Sequence, residues 1–178
     1  MNIVIFGDLF SFPEGSAATN RVYTYAKGFI ENGINVHVVC LSNDYCDEKE
    51  GVIDGINYYL PFAQKKRHNY FIVRRWKKLL KYWNTYLILK KINRDDNIIA
   101  INSWSNELLT HSFGRLLSKL YRAKFIIECS EHPLRHYQNS ALKMMLGKLN
   151  FYLESHLCDG VFCISNYLID FYTNKGFD

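Results

Sequence analysis

Four short polar stretches of this chain carry residue types that can do chemistry. The first, PEGSAATNR from Pro13 to Arg21, sets Gly15 beside Ser16 just ahead of a helical pattern. Small residues at a helix start leave backbone N–H groups open, and the positive helix end there favours a phosphate. Arg21, about one and a half turns into that helix, is placed to meet the same anion or to pair with an acid. The same residues also read as a plain turn followed by an N-cap. The second stretch is Asn102-Ser103-Trp104, and the third is Ser130, Glu131, His132, Pro133 and Arg135. Glu131 and His132 are residue types that can act on hydroxyl groups and protons, and the same stretch also reads as a plain surface loop. The fourth is Ser165-Asn166, where Ser165, like Ser103, stands at a capping position.

Each stretch follows a short apolar run. Residues 2–7 (NIVIFG), 35–41 (NVHVVCL), 56–60 (INYYL), 98–101, 124–129 (KFIIEC) and 160–164 (GVFCI) read as six strands. Helical spacing fills the gaps over 17–31, about 70–93, 107–121, about 140–156 and 167–174. Asn32-Gly33 closes the first helix as a glycine C-cap. Apolar strands alternating with helices predict an α/β fold, a doubly wound and mainly parallel sheet in a three-layer α/β/α sandwich. In such a sheet, ligands bind outside the carboxyl ends of the strands. The four polar stretches are therefore expected along one edge.

Composition narrows the function classes. The chain has 178 residues, 48% of them hydrophobic, the size and core content of one domain. No apolar run reaches the ~18–20 residues of a membrane span, and the N-terminus lacks the basic region of a signal peptide. Cys40, Cys129 and Cys163 sit in or at the ends of apolar runs and read as reduced core residues, which points to the cytoplasm. No H-E-x-x-H or C-x-x-C motif occurs, and neither a metal nor a cofactor is expected. The loop after the first strand has no G-x-G-x-x-G and no G-K-[ST], which excludes a dinucleotide fingerprint and a P-loop.

PEGSAATNRVYTYAKGFIENGINVHVVC, IIECSEHP and CDGVFCISNYLIDFY, in this order and spacing, resemble the N-terminal domain of GT-B glycosyltransferases, specifically the retaining group 1 type. The resemblance spans the whole chain. It implies a Rossmann-like, acceptor-binding domain over 1–178, with a separate C-terminal domain holding the nucleotide-sugar donor. The implied activity is transfer of a sugar from a nucleotide-diphosphate sugar to a hydroxyl of a glycan or lipid-linked glycan, with retention and without a metal. On that resemblance Gly15 and Ser16 match the glycine-containing loop that approaches the donor diphosphate, although many members carry a second glycine where Ser16 stands. Arg21 matches a basic position, and His132, or Glu131 in its place, matches a histidine near the reacting sugar. Ser165 matches the serine that opens the last helix. Asn102 and Ser103 share the binding edge. The domain alone is expected to be inactive. Two alternatives stand beside this reading: a non-catalytic α/β binding or membrane-attachment module, and a GT-B nucleotide-sugar epimerase relative.

Charge adds a separate feature. Residues 64–94 hold eleven Lys or Arg, half of the chain's 22, and none of its 17 acidic residues. Ile72, Trp76, Leu79, Leu80, Trp83 and Leu87 recur at helical spacing, with Arg74, Arg75, Lys77, Lys78 and Lys81 largely off that stripe. One reading packs the stripe on the sheet and solvates the charges. The other sets the cations against anionic headgroups on the inner face of a membrane, with Trp76 and Trp83 at the interface. Nucleic acid is not expected, since no nucleic-acid-binding motif accompanies the patch.

Overall fold

The computed structural model describes residues 1–42, 48–62, 64–134 and 141–177. Seven strands form one sheet: β1 (Asn2–Gly7), β2 (Asn35–Cys40), β3 (Glu50–Ile53), β4 (Ile56–Tyr59), β5 (Ile98–Trp104), β6 (Lys124–Cys129) and β7 (Gly160–Cys163). Their order is β3-β4-β2-β1-β5-β6-β7, and every neighbouring pair except β3–β4 is parallel. Five helices connect and flank them: α1 (Ala17–Glu31), α2 (Phe71–Asp95), α3 (Leu108–Tyr121), α4 (Ala141–Leu157) and α5 (Asn166–Thr173). The fold is thus the expected Rossmann-like α/β/α sandwich. Among the described residues, no helix is long and apolar enough to cross a membrane.

The sequence dictates this layering locally. All six residues of β1 are buried, as a central strand covered on both faces must be. Alternate residues feed two cores. Ile3 and Ile5 join Val36, Val38 and the α1 residues Val22 and Ala26 on one face. Val4 and Phe6 join Leu89 and Ile92 of α2 and Leu117 of α3 on the other. The chain reverses direction across the sheet between β1 and β5, so a topological switch point lies at their carboxyl ends.

Three features depart from the sequence reading. The strand β3 was not expected; it pairs antiparallel with β4 through Asp54-Gly55, both at positive φ (50° and 80°). That dipeptide is the strongest short hairpin signal, and it lies between two short strand-like runs. Secondly, β5 continues through Trp104, so Asn102 and Ser103 belong to the strand rather than the loop after it. Thirdly, α2 faces the opposite way. Its sheet-facing stripe is Lys81, Thr85, Leu89 and Ile92. The apolar stripe from Ile72 to Leu87 lies outward, 46–70% exposed. The docking of Leu89 and Ile92 against the core sets the rotation of the helix, and the helical period carries that face back to Lys81.

Candidate functional site

A cavity of about 460 Å³ opens at the carboxyl ends of β5 and β6, beside the switch point. Leu9 bounds it from the β1–α1 connection, Ala18 from the first turn of α1, Trp104 from β5, and Glu128 to Pro133 from the end of β6 and the loop beyond. Glu154 of α4 and Tyr172 of α5 close the far side. Leu9, just after β1, and the Glu131-His132 loop open on this cavity, while Gly15 and Ser16 are not among its lining residues.

Glu128 is the centre of the arrangement. It lies on the opposite face of β6 from Ile127 and Cys129, and its side chain is wholly buried. Its Oε1 pairs with the Arg21 guanidinium, which also donates to the Tyr25 hydroxyl at 3.3 Å. The same guanidinium lies over the Trp104 ring, 5.0 Å from its centroid. Glu128 Oε2 is buried with no hydrogen-bond partner among the described residues. Burial pushes this carboxyl up to about 7, against the pull of Arg21. Burial alone raises Glu154 to about 7 as well. Two carboxyl groups poised near neutrality thus face one cavity. Such groups switch between donating to and accepting from a hydroxyl.

His132 stands at the mouth. Its ring packs against Phe171, centroid to centroid 4.5 Å, and more loosely against Tyr167 at 6.1 Å. Its Nδ1 accepts from the Leu134 N–H at 3.2 Å, so the neutral ring carries its proton on Nε2. Glu131 is exposed, and its carbonyl oxygen accepts from the Cys129 thiol at 3.1 Å. Cys129 in turn accepts from the Tyr172 hydroxyl at 3.2 Å, which ties α5 to the end of β6.

The remaining predicted residues hold the structure together. Gly15 has no room for a side chain: a Cβ there would run into Thr19 Oγ1 and the Ser11 carbonyl oxygen. Those two atoms hydrogen-bond at 2.7 Å and fold the loop onto α1. Ser16 occupies the α1 N-cap in an extended conformation, without a side-chain capping bond. Asn102 is buried and accepts from Trp104 Nε1 at 2.5 Å, which fixes the indole. Ser103 is fully buried against His111 Nδ1 at 3.0 Å. Burial pulls His111 down to about 4, so this pair is a neutral, satisfied core contact. Ser165 caps α5 by accepting from the Leu168 N–H at 3.4 Å, as its position predicted.

The cations of α2 divide. Arg75 and Lys78 are exposed, and Arg74 and Lys77 half-buried, around the first turns of the helix. Lys81 does not belong with them. It is 6% exposed, and its Nζ donates to the Leu41 carbonyl oxygen at 3.0 Å, inside the protein rather than on a membrane-facing surface. Burial lowers its pKa, opposed by the charges of Asp8 and Glu107. Arg135, Cys46 and Ser140 lie outside the described residues, as does His136, which stands at H-x-x-x-H spacing from His132. Among the described residues, no group of three or more metal-ligating side chains converges. Glu128, Glu154 and Tyr172 went unrecognised because each sits inside a regular element whose pattern reads as core. No protein-family model matches the chain, and no curated protein matches it in sequence.

Proposed function

We propose that this chain is the acceptor-binding domain of a glycosyltransferase that moves a sugar from a nucleotide-diphosphate sugar to a glycan or lipid-linked hydroxyl. The observation that carries this reading is the cavity at the carboxyl edge, lined by Glu128, Glu154 and His132. Its polar groups suit a neutral polyol better than an anion, because the Arg21 guanidinium is already engaged by Glu128 and the Tyr25 hydroxyl. That favours the acceptor over the donor diphosphate as its occupant. On this reading His132 Nε2 and Glu131 orient the acceptor, and Gly15 and Ser16 shape the rim that a donor would approach. Holding two substrates in reactive geometry supplies much of the acceleration in such a transfer.

The outward apolar stripe of α2, with Arg75 and Lys78 beside it, supports peripheral attachment to the cytoplasmic face of a membrane. The four free thiols among the described residues accord with a reducing compartment.

Titration of the isotope-labelled chain with oligosaccharides and with a panel of UDP- and GDP-sugars, followed by NMR, tests the reading. Glycans should shift the resonances of His132, Glu128 and Glu154, with nucleotide-sugars causing weak changes at most. Turnover of a nucleotide-sugar by this chain alone, or no response of the cavity to any glycan, would overturn it.

A further inference from the structure

A second cavity, of about 310 Å³, lies between the 64–68 segment and the first two turns of α2, and its lining shares no residue with that of the first. Arg67, Arg74, Arg75, Lys77 and Lys78 line it, together with His68, and no acidic residue does among the described residues. No ion pair engages any of these five cations among the described residues. Phe71 orders two of them, with the Arg75 and Arg74 guanidinium carbons 5.1 and 5.9 Å from its ring centroid. His68 Nδ1 is buried in the same wall and has no hydrogen-bond partner among the described residues.

Like charges gathered around one concavity repel, and concave walls concentrate their field. An oxyanion relieves that repulsion and gives each guanidinium a partner of matching geometry. The rotation of α2 creates the arrangement. Arg74, Lys77 and Lys78 continue the helix face that meets the sheet at Lys81, Thr85 and Leu89. Across the cavity that face meets Phe62 and the 64–68 segment, and that segment is itself basic. The volume is at the lower end of the ~300–1,000 Å³ typical of ligand pockets, ample for a small multivalent anion.

We infer that this pocket binds a terminal phosphate or diphosphate group. Glycosyl transfer is not a premise of this site, which would operate equally on a membrane headgroup or on a free phosphorylated compound.

Inorganic pyrophosphate is the first probe, titrated calorimetrically into the chain at constant ionic strength. Saturable one-site binding is expected, weakened about tenfold or more in the R74Q/K77Q variant. The K90Q/K91Q variant removes the same charge from the far end of α2 and should bind within about twofold of the parent chain, as a diffuse charge effect shared by both variants would not allow. Phosphatidylcholine vesicles doped with phosphatidic acid, or with phosphatidylglycerol to the same surface charge, separate the two sources. Preference for phosphatidic acid, lost in R74Q/K77Q alone, assigns the site to a headgroup phosphate. Pyrophosphate binding without that preference assigns it to a free compound. Absence of saturable binding to both probes, or equal loss in the two variants, would overturn the site. Circular dichroism confirms that both variants keep the parent fold.

Discussion

At the scale of single residues, the Arg21–Glu128 pair links packing to chemistry. Glu128 sits at the last turn of pleat before the crevice, where the strand still buries its side chain. A carboxylate there needs a cation, and α1 supplies Arg21 across 107 residues of sequence. Trp104 sets its ring beneath the guanidinium, and Asn102 holds Trp104. Removing one member of a buried pair strands the other. Arg21→Ala is therefore expected to cost about 2–3 kcal/mol in urea denaturation, somewhat below the fully buried case because Arg21 is partly solvated. Adding Glu128→Gln to that variant should recover a good part of the loss. If the single variant were as stable as the parent, the pair would be ornamental. The same chain of contacts explains why Asn102 and Ser103 are polar: they serve Trp104 and His111 within the strand.

At the scale of elements, α2 separates two properties that are commonly joined. Its C-terminal half is anchored by Leu89 and Ile92, which are almost completely buried. Its N-terminal half turns a run of large apolar side chains outward and its cations toward the 64–68 segment. The energetic weight of the helix therefore lies at its end. Leu89→Ala should cost about 2–5 kcal/mol, the range for truncating a buried leucine. Trp76→Ser should change stability by less than about 0.5 kcal/mol, since its ring already faces solvent. Thermal or urea unfolding of the two variants side by side checks this, and a large loss for Trp76→Ser would place that stripe in a core. The hairpin β3–β4 is the opposite case, an element made by its turn. Asp54 and Gly55 adopt the left-handed backbone that a two-residue hairpin requires, and three of the four residues of β3 are exposed.

At the scale of the whole molecule, burial of titratable groups makes stability depend on pH in two opposed ways. Glu154 and Glu128 have pKa values raised to about 7, so the folded state holds their protons more tightly than the unfolded state does. Their contribution is full below the unfolded pKa near 4.5 and is lost as pH rises through about 7. His111, pulled down to about 4, acts in the other sense: its contribution is full above about 6.5 and is lost as pH falls through 4. The two slopes partly cancel between pH 5 and 6.5. A difference measurement isolates one of them. Glu154→Gln should be more stable than the parent by about 1–2 kcal/mol at pH 8 and nearly equal to it at pH 4.5. A variant with no pH-dependent difference would mean that Glu154 is solvated in the folded state.

The sequence by itself determined the alternation of apolar strands and helices, the parallel sheet, and local signals such as the Ser165 cap. These follow from periodicity and capping, which act over a few residues and are written in the order of the side chains. Only the tertiary structure decided which face of α2 meets the sheet, that Lys81 is interior while its basic neighbours surround a pocket, and that Arg21 answers an acid rather than an open anion site. Those outcomes depend on partners far apart in the chain, Arg21 with Glu128, Lys81 with Leu41, Leu89 with the central strands. A helix carrying two candidate faces cannot rank them until the sheet edge fixes where each one ends.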